Sequence, residues 1–118
     1  MNSVPFEVDS EELEDGIRTF IIHGELDMGT APDLERKLEP ALEDSAAAIM
    51  LDLSGCEFID STGIALIVRA WQQLGQGTGR LAICSDNLQV RRLLKITGVE
   101  ASIPVHEQRD AALAELRG

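Results

Sequence analysis

Two kinds of apolar spacing alternate along this chain and divide it into strands and helices. Phe6-Glu7-Val8 is a brief alternation, "EELEDG" closes a turn at Gly16, and Ile17 to His23 is rich in β-branched and aromatic residues, so the pair reads as a hairpin. "GELDMG" is expected as a loop. Thr30-Ala31-Pro32-Asp33 then looks like a helix start, with Thr30 as N-cap, Pro32 in the first turn and Asp33 three residues on. Leu34, Leu38, Ala41 and Leu42 fall on one face of that helix, with Glu35, Arg36, Lys37 and Glu39 on the other.

"AAAIMLDL", 46–53, is a continuous apolar run of the kind buried on both faces of a sheet. "SGCEFIDSTG" reads as a junction. Beyond it Ile64, Ile67, Val68, Trp71 and Leu74 make an amphipathic helix that stops at Gly75 and the loop "GQGTG". "RLAIC", 80–84, is another buried strand. Asp86-Asn87-Leu88-Gln89 supplies a second capping signal, and Leu88, Leu94 and Thr97 lead to Gly98 as terminator. "SIPV" is a short last strand and "EQRDAALAEL" a last amphipathic helix. The order ββαβαβαβα predicts an α/β fold: a mixed, mostly parallel sheet of about four to five strands packed with amphipathic helices. With 118 residues and no linker or repeat, the chain reads as a single domain.

Composition narrows the function more than the fold. Lys and Arg number 10 against 21 Asp and Glu, a formal net charge of −11. Such a chain repels phosphate backbones and anionic headgroups, so nucleic acid and membrane surfaces are disfavoured as partners. The acidity either favours a basic protein partner or serves solubility alone. With three Phe, one Trp and no Tyr, a base-stacking surface is also disfavoured. Cys56 and Cys84 lack CxxC spacing and read as buried free thiols, and with His23 and His106 in unrelated contexts no metal site or cofactor is expected. The acidic amino end has no signal-peptide character and no apolar run reaches membrane-spanning length, which points to the cytoplasm.

In a parallel sheet, functional groups gather at the carboxyl ends of the strands. Two polar segments fall there, "GELD" (24–27) and "DSTG" (60–63), and if their strands are neighbours Asp27 and Ser61 share one surface. Ser61 has two readings. It is placed as an ordinary helix N-cap, a role Asp60 could equally fill. It is also placed where free N–H groups and the helix dipole tolerate a phosphate, so modification would burden a partner more than the fold. Catalytic signatures are out of frame: Gly-x-Ser-x-Gly is absent, Asp60-Ser61-Thr62-Gly63 is one residue longer than the Asp-Ser/Thr-Gly triplet, and no phosphate-binding loop occurs. A non-enzyme is expected.

Together, "GELD", the amphipathic helix after it, "LDLSGCEFIDSTGIALI" and "VRRLLKITGVEASIPV" resemble the anti-sigma factor antagonists, the stand-alone STAS domains, over about residues 6–116 of a single 1–118 domain. The resemblance implies a regulator that swaps partners. Unmodified, such a protein binds an anti-sigma factor that is itself a serine kinase of the ATPase type and so frees a sigma factor. The kinase phosphorylates the Ser after the motif Asp, here Ser61, the complex falls apart, and a serine phosphatase restores the active form. It implies partner contacts from Glu25, Asp27, Asp60, Ser61, Thr62 and Gly63, with Asp27 helping to place the kinase, and no small-molecule substrate. Many relatives continue Gly-Leu-Gly where this chain has Gly63-Ile64-Ala65; Ala65 is still small. Other STAS domains are unphosphorylated accessory or scaffold subunits of transporters or stress-sensing complexes, but those usually lose the full Asp-Ser-[Ser/Thr]-Gly signature retained here.

Overall fold

The computed structural model describes residues 4–44 and 47–118. Its five strands are β1 (Glu7–Glu12), β2 (Arg18–Leu26), β3 (Ala48–Ile59), β4 (Arg80–Cys84) and β5 (Val105–His106). The helices are α1 (Ala31–Leu42), α2 (Ser61–Leu74), α3 (Leu88–Ile96), α4 (Val99–Ser102) and α5 (Arg109–Arg117). The sheet order is β1-β2-β3-β4-β5, with β1 antiparallel to β2 and every other pair parallel. The expected mixed sheet is present, and the short helix α4 is an addition to the expected order.

The main core lies between one sheet face and α1, α2, α3 and α4. Leu34 and Leu38 from α1, Leu66, Ile67 and Leu74 from α2, and Val90 and Leu94 from α3 meet Phe20, Ile22, Ile49, Leu51 and Leu53 there. Covering the other face is α5, through a smaller cluster of Ile17, Met50, Ala82, Cys84, Ala112, Leu113 and Leu116. Alternation along β3 explains the split: Ile49 and Leu51 point one way and Met50 the other. The continuous apolar run marks a strand covered on both faces, as expected. The strand expected at 46–53 starts in the structure at Ala48, and residue 46 lies outside the described residues.

Parts of two expected loops are strand instead. β2 runs on through Gly24-Glu25-Leu26, and β3 through "SGCEFI", so these segments pair with one another: His23 with Gly55, Gly24 with Cys56, Glu25 with Phe58, Leu26 with Ile59. Register shifts between Ile21 and His23, and again between Gly24 and Glu25, leave one extra residue in β3 at each place. Each bulge flips the side-chain parity. Leu53, Cys56 and Ile59 therefore all face the main core at three-residue spacing, a pattern that period-two reading takes for a junction. At Gly24 the backbone has φ +88°, and a Cβ there would lie 2.9 Å from the Val4 carbonyl oxygen. Only glycine fits that position.

α1 continues to Leu42 past Pro40, as expected from Ala41 and Leu42 on its apolar face; Pro40 sits in the last turn and withholds one backbone donor from Arg36. "SIPV" contributes only its Val105 to a two-residue β5, because α4 occupies the chain up to Ser102. Gly98 does terminate α3, in the left-handed conformation at φ +84°.

Candidate functional site

Leu26 and Ile59, the last residues of β2 and β3, are paired, so the loops that follow emerge side by side at one end of the sheet. Asp60 holds them together. Its backbone N–H donates to the Leu26 carbonyl at 3.2 Å, and its carboxylate Oδ2 accepts the Met28 N–H at 3.3 Å. The other oxygen, Oδ1, accepts the N–H groups of Thr62 (2.9 Å) and Gly63 (3.1 Å). Asp60 is therefore the N-cap of α2, with extended backbone at φ −111° and ψ −174°.

Ser61 is not the cap. It is the first helical residue, exposed, with its hydroxyl free of side-chain hydrogen bonds among the described residues. Asp60, one position earlier and in extended backbone, accepts the Thr62 and Gly63 amides with its carboxylate, which leaves the Ser61 hydroxyl available. Thr62 is half-buried beside it. Gly63 is buried, and a Cβ there would lie 2.8 Å from Leu26 Cγ, 2.9 Å from Ile59 Cγ1 and 3.0 Å from the Leu26 carbonyl oxygen. The glycine of "DSTG" thus lets the first turn of α2 sit directly against the paired strand ends.

Asp27 organises the neighbouring loop. Its Oδ1 accepts the N–H groups of Gly29 (3.0 Å) and Thr30 (3.1 Å), an Asx turn leading into α1. Thr30 occupies the N-cap position but caps nothing through its side chain. Its hydroxyl is turned back into the loop, donating to the Glu25 carbonyl at 2.7 Å and accepting the Asp27 N–H at 2.9 Å. Glu25, Asp27, Asp60, Ser61, Thr62 and Gly63 all lie at this one end of the sheet, joined by Glu57 in the second bulge.

Sequence reasoning passed over the apolar residues of this surface. Met28 is 74% exposed and Phe58 48%, one beside each acidic loop. Their signal was faint: a Met in a turn, and a Phe whose parity is reversed by a bulge. The two thiols lie elsewhere in role. Burial pushes the Cys56 thiol up, and its Sγ donates to the Phe58 carbonyl at 3.2 Å. Cys84 is pushed up to about 12, by burial first and then by nearby Asp52. Both are free and buried, as expected, and neither is suited to thiolate chemistry. Among the described residues no cluster of three or more His, Cys, Asp or Glu is placed to hold a metal ion, and no helix is long and apolar enough to cross a membrane.

Known proteins carry the same architecture. The STAS domain family model matches residues 11–112. An anti-sigma F factor antagonist of Paenibacillus polymyxa is 29% identical over 102 residues, covering 86% of this chain and 87% of that protein. An anti-sigma-B factor antagonist of Staphylococcus aureus is 35% identical over 86 residues, 73% of this chain and 80% of that one. Among solved structures, an anti-sigma factor antagonist from Mycobacterium paratuberculosis superposes with a TM-score of 0.89 at 30% identity, covering 99% of this chain and all of the other.

Proposed function

Since the chain belongs to the STAS domain family, we propose that it is an anti-sigma factor antagonist switched by phosphorylation of Ser61. One observation carries the reading: Ser61 stands exposed at the first position of α2, on a turn that Asp60 both caps and ties to the Asp27 loop. The unmodified surface offers carboxylates from Glu25, Asp27, Glu57 and Asp60 around a free hydroxyl, with Met28 and Phe58 as apolar anchors. A cationic contact on an anti-sigma factor of the ATPase/serine-kinase type complements it.

Phosphate adds a charge of about −1.5 to −2 at that point. Within the domain the helix N-terminus offsets it. Once a docked partner excludes water, the same charge is desolvated and crowded against the carboxylates of Glu25, Asp27, Glu57 and Asp60. About 3 kcal/mol of such repulsion lowers affinity roughly 150-fold. Release of the kinase, recovery by a serine phosphatase and action in the cytoplasm complete the cycle. The protein is a regulator whose Ser61 accepts phosphate and performs no chemistry itself.

The test is incubation of the purified chain with ATPase-type anti-sigma factors from the same genome and ATP, followed by peptide mass mapping. Phosphate is expected on Ser61, and Ser61→Ala is expected to bind the anti-sigma factor without being modified. Phosphate confined to Thr62, or absent with every such kinase, overturns the reading. In the same assay Asp27→Ala should slow phosphorylation while costing the fold at most the ~1 kcal/mol of a lost cap. A wild-type rate would leave Asp27 as a turn-former only.

A further inference from the structure

α3 has two apolar faces, and only one is used by the fold. Val90 and Leu94 point into the main core at 1% and 0% exposure. Leu88, Arg92, Lys95 and Ile96 follow the i, i+4, i+7, i+8 spacing of a second stripe, on which Leu88 is 83% exposed and Ile96 72%. From Ile96 a cleft of about 170 Å³ leads across Leu93 and Arg92 to Phe58, Glu57 and Ile59. Ile59 is the residue before Asp60, so the cleft joins the α3 stripe to the Ser61 surface.

The charge of this stripe runs against that of the molecule. α3 contains no acidic residue and three of the chain's ten cations, Arg91, Arg92 and Lys95. Arg91 is paired with Glu100 at 3.3 Å. Arg92 and Lys95 have no ion pair among the described residues, and the one carboxylate on the cleft rim is Glu57 on the β3 side. Two free cations flanked by two exposed aliphatic side chains complement an acidic amphipathic segment. An anionic membrane offers similar chemistry, but a chain of net charge −11 is repelled by such a surface as a whole.

We infer that the outer stripe of α3 and the Phe58 cleft form a second docking surface, which takes an acidic amphipathic segment of the same protein partner that reads Ser61. The inference rests on the partner reading above and adds to it a contact of opposite charge. The acidic loops around Ser61 receive a cationic element, while α3 receives an acidic one, so the complex has one permitted orientation.

The anti-sigma factor that binds the unphosphorylated chain is titrated calorimetrically with wild type, an Arg92→Gln/Lys95→Gln pair and a Leu88→Gln/Ile96→Gln pair. All four positions are exposed, so the melting temperature should change little. Each pair is expected to weaken binding at least tenfold, and the charge pair should also flatten the salt dependence of affinity. Wild-type affinity in both pairs, alongside weakened binding by Ser61→Asp, overturns the α3 surface and leaves the Ser61 reading standing. Absence of binding by wild type removes both. Sedimentation with phosphatidylglycerol vesicles in an Arg92- and Lys95-dependent manner would assign the stripe to lipid and overturn the protein-partner inference.

Discussion

The amino ends of α2 and α3 are capped by the same device and put to different use. Asp60 Oδ1 accepts the N–H groups two and three residues on at 2.9 and 3.1 Å, and Asn87 Oδ1 does so at 2.9 and 3.1 Å. What differs is everything around the cap. After Asp60 come a free hydroxyl and a glycine pressed against β2 and β3; after Asn87 come an exposed Leu88 and a Val90 that fills the core. Asp60 is an acid whose second oxygen reaches Met28 in another loop, whereas the neutral Asn87 is bonded within its own turn. A cap by itself marks only the start of a helix. A site is built where the capped turn is drawn against a strand end and tied to a second loop.

The largest way to break this contrast is at the third helical position. Gly63→Ala should destabilise by about 1–3 kcal/mol, the usual penalty for overpacking, because one of the obstructing atoms is the Leu26 backbone carbonyl, which cannot rotate away. Urea denaturation measures it. A stability equal to wild type would mean that α2 is not held against the strand ends.

The next effect separates the two caps. Asn87→Ala should cost the ~1 kcal/mol typical of a lost N-cap. Asp60→Ala should cost about 2 kcal/mol, since it removes the cap and the charged acceptor of the Met28 N–H together. Equal losses in parallel denaturation curves would show that the tie between the loops contributes nothing.

How much of this the sequence disclosed depends on how local the cause was. The inward face of α1 and the stop at Gly98 follow from spacing and residue type within one turn, and each is where the pattern puts it. The capping signal Asp86-Asn87-Leu88-Gln89 resolves to Asn87. On α2, Ile64, Ile67 and Leu74 are buried as expected, Val68 and Trp71 only half-buried, with Leu66 and Ala70 added. The extension of β2 through Gly24-Glu25-Leu26 was hidden because its evidence lies on β3, in bulges that convert a two-residue period into the three-residue spacing of Leu53, Cys56 and Ile59. Ser61 and Asp60 were equivalent as caps in the sequence. The choice between them comes from the reach of a carboxylate to two amides and, on its other oxygen, to Met28, a residue 32 positions away. The exposure of Leu88 was not legible either, since a helical wheel shows that α3 has two apolar stripes without saying which one meets the sheet.

The smallest expected effect sharpens the comparison most, because it places one charge at the same helical position twice. A carboxylate at the first position of a helix gains about 0.3–1 kcal/mol from the N-terminal dipole. In Leu88→Asp it also finds Arg91 and Arg92 three and four residues on, at the spacing of helical ion pairs, so a gain of about 0.5–1 kcal/mol is expected. Removing a side chain that is 83% exposed gives up little burial. In Ser61→Asp the same dipole acts, but positions three and four on are Ile64 and Ala65, and Asp60, Asp27, Glu25 and Glu57 share the surface. The dipole gain and the repulsion should nearly cancel, leaving the stability of Ser61→Asp within about 0.3 kcal/mol of wild type. Added salt should reduce the Leu88→Asp gain and leave Ser61→Asp almost unmoved. If the two substitutions stabilise equally in low salt, the carboxylates around Ser61 exert no net field there, and repulsion between phosphate and its own surroundings drops out of the switch, leaving only its clash with the docked partner.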